Sequence, residues 1–186
     1  SLNAMTGALS QLVDGRLTED SRYSYSWRES RWLNDRKLAA LDALARYGKA
    51  RPAQLESINT TLQAWPTASL IHWINILHAM PNVPNQAQKI QDALNVLRSR
   101  MILQANSLNL SSDNAADYWN MQSTDASAVQ ILLTALNTPT WAPELPRLVE
   151  GAMLRQQKGH WDTTTANAWV SLANRQYEAQ SRGTVL

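Results

Sequence analysis

Along most of the chain, apolar residues recur three and four positions apart, the spacing of a helix with one buried stripe. Residues 32–47 place Leu38, Leu41, Leu44 and Ala45 on one face and stop before Gly48, a residue suited to ending a helix. Pro52 stands where a first helical turn tolerates it, and Leu55, Ile58, Leu62 and Trp65 follow, so a second helix is expected from 52 to Pro66. The run from Thr67 holds Leu70, Ile71, Trp73, Ile74 and Leu77 and is apolar nearly all round, which predicts an inner, buried helix. After "MPNVPN", Asn85 and Gln88 have the spacing of a capping box. Ile90, Leu94, Leu97 and Met101 then form the narrow stripe of an outer helix.

The polar stretch 106–121 reads as a loop. Helical spacing returns at Ser123-Thr124-Asp125 and continues to about Asn137. "NTPTWAP" is a linker, and Pro143 opens a helix with Leu145, Leu148, Val149 and Ala152. Gly159 precedes the last helix. Residues 1–30 form an N-terminal segment of uncertain character, in which Leu2 to Val13 has the look of a helix and Ser1 to Met5 are consistent with a vector-derived start. The prediction is an all-α chain of six to seven helices in antiparallel hairpins, with residues 31–186 as the helical domain.

An internal repeat sharpens this picture. "QSTDASAVQILLTAL" at 122–136 and "DTTTANAWVSLANRQ" at 162–176 align without gaps at a spacing of 40. Thr124 falls on Thr164, Ala126 on Ala166, Ala128 on Ala168, Val129 on Trp169 and Leu132 on Leu172. A period of this length, with one very apolar and one half-polar helix per unit, fits an open solenoid or a closed α/α toroid.

Composition agrees. The 186 residues are 44% hydrophobic, enough for a real core, and include 8 Trp, 5 Tyr, no Phe and only 6 Gly, a mix that favours helices packed by large rings. Net charge is +2 with no dense Lys/Arg run, so no nucleic-acid partner is expected. No apolar run has the length of a membrane span. The absence of Cys excludes disulfides, thiolate zinc sites and a Cys nucleophile from these residues. No cofactor is implied.

Three constellations invite chemistry. His160 stands two residues from Asp162, which suggests a general base, but Asp and Thr before an apolar run are the ordinary residues of a helix N-cap, and the copy at 123–125 has no His beside it. His72 and His78 are six positions apart, on different faces of one helix, so they do not share a metal. Asp113 and Asp117, beside Tyr118 and Trp119, are the acid pair an α/α-toroid glycosidase would need.

Lys158-Gly159-His160-Trp161-Asp162-Thr163-Thr164, followed by Ala166, Ala168, Trp169, Leu172 and Ala173, resembles the end of the thioester-type domain of bacterial α2-macroglobulin-like proteins. There a Gly-x-Trp-x-[Ser/Thr]-Thr turn leads into a helix of an α/α toroid. "LVEGAMLRQQKG" and "STDASAVQILLTAL" are similar to the helices that precede it, and the match covers about residues 118–177. The resemblance implies a large periplasmic, often lipid-anchored parent that traps and inhibits proteases after a bait segment is cut. Neighbouring domains of the parent, the protease and, in some members, cell-wall synthesis machinery are then its partners. Some members carry a Cys-x-Glu-Gln thioester; with no Cys, none forms within these residues. A whole toroid needs more helices than are read here, so a fragment or partial toroid is expected. Gly159, Trp161, Asp162, Thr163, Thr164, Ala166, Ala168 and Trp169 are then packing and capping positions, with Ala166 and Ala168 as points of close approach.

Overall fold

In a computed structural model, residues 1–16, 31–58, 61–111 and 123–183 are described. Eight α-helices dominate them: α1 (Leu2–Val13), α2 (Arg31–Arg46), α3 (Pro52–Leu55), α4 (Thr67–Ala79), α5 (Gln86–Ser99), α6 (Thr124–Leu136), α7 (Leu145–Leu154) and α8 (Thr164–Gly183). One antiparallel hairpin, β1 (Met101–Gln104) and β2 (Ser107–Leu110), completes the set. The chain is therefore mostly all-α. No helix among the described residues is long and apolar enough to cross a membrane.

Two compact units are present: Ser1–Trp65 with His72–Val96, and Pro66–Ile71 with Leu97–Leu186. The core of the first unit gathers Leu38, Leu41 and Leu44 of α2 with Trp73, Ile74, Ile76 and Leu77 of α4, all buried. Trp65 meets Trp73 edge to face, with centroids 5.8 Å apart, a favourable ring geometry. α2 stops as its composition requires: Gly48 takes φ +63°, and Lys49 N–H reaches back to the Leu44 carbonyl.

In the second unit, α6 and α8 run side by side in the same direction. Their starts touch through Ser123 and Asp162, and their later turns through Gln176, whose side-chain amide donates to Asn137 Oδ1 at 2.7 Å. The chain offset is close to 40 at both ends, so the repeat in the sequence is a spatial repeat. α7 runs the opposite way, because Arg155, just past its end, meets Asp125 in the first turn of α6. Ala126, Val129, Leu133, Trp161, Ala166 and Ala173 form one buried cluster, with Leu132, Trp169 and Val170 packed against it.

Several expectations need correction. The helix expected from 52 to 66 is only the single turn α3, followed by a 3₁₀ turn at Leu62–Ala64. Ser57 donates its hydroxyl to the Gln54 carbonyl, and Asn59, Thr60 and Thr61 follow, all weak helix formers. Asn85 forms no capping box: its φ is +55°, and Gln88 donates to Asp92 Oδ1 instead. The outer-helix stripe ends before Met101, which starts β1, and Ser107–Leu110, read as loop, is β2. The two-residue turn between the strands places Ala105 at φ +50°, a conformation usually given to Gly or Asn, which is why the turn carries no recognisable signal. The 3₁₀ turn Pro139–Glu144 occupies much of the expected linker, and α7 starts at Leu145 with Pro146 in its first turn.

Candidate functional site

The most elaborated constellation lies where α7 ends and α6 and α8 begin. It starts with a tight turn at Gln157–His160. Lys158 and Gly159 have φ +53° and +82°, and residues 157 and 160 exchange backbone hydrogen bonds of 2.9 and 3.2 Å. Two successive positive φ values in a two-residue loop make a type I′ turn, and Gly159 supplies the second at low cost. The turn reverses the chain and drives Trp161 inward.

Trp161 is buried, and its indole N–H donates to the Ala152 carbonyl near the end of α7 at 2.9 Å. That bond satisfies a buried indole, and the same carbonyl also accepts the Arg155 N–H at 3.4 Å as α7 ends. Asn167, one turn into α8, clamps the Trp161 backbone from both sides: its Oδ1 accepts from the Trp161 N–H at 3.3 Å, and its amide donates to the Trp161 carbonyl at 3.0 Å. The same amide reaches the Thr163 carbonyl at 2.6 Å.

The two helix starts are capped alike. Ser123 Oγ accepts from the Ala126 N–H at 3.0 Å, and Thr163 Oγ1 accepts from the Ala166 N–H at 3.1 Å. The caps also meet each other, since Ser123 donates to Asp162 Oδ1 at 2.7 Å. Asp125 is the tie between the three helices. Its Oδ1 accepts from Arg155 Nε at 2.6 Å and its Oδ2 from the Asp162 N–H at 3.1 Å. A carboxylate in the first turn of α6 is also favoured by the helix dipole.

His160 and Asp162 are not joined. The His160 ring donates from Nδ1 to the Trp161 carbonyl at 3.0 Å and is exposed, while the Asp162 carboxylate is engaged by Ser123. No general-base geometry links them. Ala166 is fully buried, as close approach requires, but Ala168 is exposed and makes no such approach. Thr164 is exposed in the first turn of α8, and Trp169 is half-buried against the cluster. Asp113 and Asp117 lie outside the described residues.

A second constellation, in the first unit, was not read from the sequence. Asp42 of α2 is buried. It accepts from His72 Nδ1 of α4 at 2.7 Å and from Arg46 Nε and Nη2 at 3.0 and 3.1 Å. Burial pushes the Asp42 carboxyl up, but the hydrogen bonds and charges of His72 and Arg46 outweigh it and hold the group below the usual carboxylate range. The Asp42–Arg46 spacing of four is a helical ion-pair signal visible in the sequence; the partnership with His72, thirty positions on, is not. Six residues further along α4, His78 has a buried Nδ1 without a hydrogen-bond partner, and burial lowers its pKa. Among the described residues no group of three or more His, Cys, Asp or Glu is placed to hold a metal ion.

No family model, no curated protein and no solved structure matches this chain.

Proposed function

We propose that this chain is a non-catalytic, α/α-toroid-type helical segment of a bacterial α2-macroglobulin-like cell-envelope protein, and that its parent traps and inhibits proteases in the periplasm. The observation that carries the reading is the α6–α7–α8 node. Two parallel, identically capped helices are offset by one 40-residue repeat, an antiparallel helix runs back between them in sequence, and the resembling Gly-x-Trp-x-Thr-Thr stretch forms the joint. This is the step by which an α/α toroid is built. The residues of the motif are spent on caps, a Trp anchor and a backbone clamp, which supports a structural role for Gly159, Trp161, Asp162 and Thr163 rather than a chemical one.

In this reading the segment packs against neighbouring domains of the parent and moves when the bait segment is cut. Trapping then needs no chemistry here. A role beside cell-wall synthesis machinery rests on the same resemblance. The test uses the full-length parent. Incubated with an endoprotease, it should change mobility on a native gel. The captured protease should still cleave a small peptide substrate while losing activity on a large protein substrate. Unchanged mobility and undiminished cleavage of the large substrate would overturn the trapping role.

The same node is also the building step of an open helical-repeat scaffold. Solution scattering separates the two, since a scaffold of this kind is elongated and a toroid is compact.

A further inference from the structure

Asp14-Gly15 is the single Asp-Gly step in the 186 residues, and no Asn-Gly occurs. An aspartate before glycine is open to attack by the next backbone nitrogen, because glycine has no side chain to shield it. The fold requires glycine at this point. Gly15 takes φ +68° and closes α1: its N–H donates to the Leu12 carbonyl at 3.2 Å, and the Arg16 N–H donates to the Gln11 carbonyl at 2.8 Å. These are the paired bonds of a Schellman cap. Asp14 is the C-cap, where the helix dipole disfavours an acid.

α3 holds the acid in place. Arg51 Nη2 donates to both Asp14 oxygens at 3.0 and 2.7 Å, and Gln54 Nε2 donates to Oδ1 at 3.0 Å. Gln54 is buried, and its Oε1 accepts from the Arg51 N–H at 2.9 Å, so one side chain fixes both the acid and the start of α3. Arg16 lies 3.9 Å from the same carboxylate. The Gln54 hydrogen bond first, then Arg51 and Arg16, keep the Asp14 carboxyl below the usual carboxylate range. Both reacting groups are therefore restrained: the carboxylate by the clamp from α3, and the Gly15 nitrogen by its bond to Leu12.

We propose that Asp14-Gly15 is this chain's site of spontaneous aspartate isomerisation, gated by the Arg51–Gln54 clamp, and that the reaction frees the end of α1 from α3. When the clamp opens, rotation about the Asp14 ψ brings the Gly15 nitrogen onto the Asp14 side-chain carboxyl carbon. A new C–N bond forms there, and the acid hydroxyl leaves with the amide proton as water, giving a succinimide. Water then adds to the main-chain carbonyl of the ring and breaks the original Asp14–Gly15 C–N bond, giving isoaspartate. Addition at the other carbonyl restores aspartate. In isoaspartate the side-chain methylene has joined the backbone. The Schellman register is then lost, and the carboxylate no longer meets Arg51 and Gln54.

Peptide mapping of the purified chain, with isoaspartyl methyltransferase labelling after incubation at neutral pH, tests the proposal. Isoaspartate should appear at residue 14 before any other position, at least about tenfold more slowly in the folded chain than in urea. Arg51→Ala should speed its formation in the folded chain about fivefold, as for a half-exposed ion pair, and Gln54→Ala about tenfold. Hydrogen exchange at the Leu41 and Leu44 amides checks that each variant keeps its core. Arg51→Lys, which keeps the charge without the fork on both oxygens, should fall between wild type and Arg51→Ala. In the isomerised fraction the α1 amides should exchange at least about tenfold faster than in the intact one. Equal rates folded and in urea, unchanged rates in the Arg51 and Gln54 variants, or earlier isoaspartate elsewhere would overturn the gated site. Equal α1 exchange in the two fractions would overturn the release of α1.

Discussion

The two helix caps of the node look equivalent in sequence, and they are not expected to behave equivalently. Ser123 and Thr163 each accept one backbone N–H, so a purely local cap predicts the same loss on replacement by alanine, about 1 kcal/mol. Their surroundings differ. Ser123 has 0% exposure, and its hydroxyl also donates to Asp162, whereas Thr163 is partly exposed. Ser123→Ala therefore leaves the Ala126 N–H buried with nothing to bond. A buried unsatisfied donor costs about 1–3 kcal/mol, so a total near 2–3 kcal/mol is expected. Asp162 is exposed, and its freed carboxylate is rehydrated at little cost. At Thr163 water takes the vacated place, and the loss should stay near 1 kcal/mol. The difference is about tenfold in the opening equilibrium of the helix start.

Because the chain has two compact units, the measurement is local: native-state hydrogen exchange at the Ala126 and Ala166 amides, supported by urea unfolding followed by circular dichroism. The double variant adds a second check. The two hydroxyls are 3.4 Å apart and share Asp162 as a neighbour, so the losses should fail to add by about 0.5 kcal/mol or more. Equal losses for the two single variants, or a larger loss at Thr163, would refute the argument that burial of the cap sets its strength.

Further outcomes follow from the same geometry. Gly151→Ala would ordinarily stabilise a helix by nearly 1 kcal/mol; here its Cβ meets the Leu108 carbonyl, and a net loss of about 1–3 kcal/mol with faster exchange in β2 is expected by thermal unfolding. Gly159→Ala should cost about 1 kcal/mol or more, because φ is +82° at that position. The Asp42 carboxyl is depressed in the fold, so its stabilising effect is full above its unfolded pKa and is lost as pH falls through the lower folded value; Asp42→Asn should flatten the acid limb of a stability–pH curve and destabilise the first unit at neutral pH. His78 is also depressed, by burial alone, so its titration leaves stability unchanged above its unfolded pKa and lowers it increasingly as pH drops below that value; His78→Gln should lessen the fall in Tm between pH 7.5 and 5.5.

The long helices were legible because their apolar spacing is strong: α2, α4 and α6 bury the residues their periodicity marks, and Gly48 ends α2 where expected. The failures have one physical origin, which is that a short apolar run does not say which backbone it belongs to. Leu55 to Trp65 keeps a helical period but passes through Ser, Asn and Thr, whose side chains compete for the backbone. Met101-Ile102-Leu103 continues the apolar stripe of α5 yet turns into a strand, and Gly151, the residue that lets α7 lie against that strand, reads in sequence only as a weak spot in a helix. The repeat was the most informative signal, because an offset of 40 in the sequence became an offset near 40 between touching side chains.

Proximity in sequence misled most where chemistry was concerned. His160 and Asp162 are neighbours in the chain, yet the turn that places Trp161 in the core sends their side chains to different partners. Asp42 and His72 are thirty positions apart, and helix packing brings them to 2.7 Å. A working acid–base pair needs a carboxylate that orients the His and a ring face open to a substrate. At the node, the Asp125 and Asp162 carboxylates are taken by Arg155, a backbone N–H and Ser123. In the first unit, Asp42 does orient a His, but the His72 side chain is only 12% exposed. Both constellations thus fasten helices to helices.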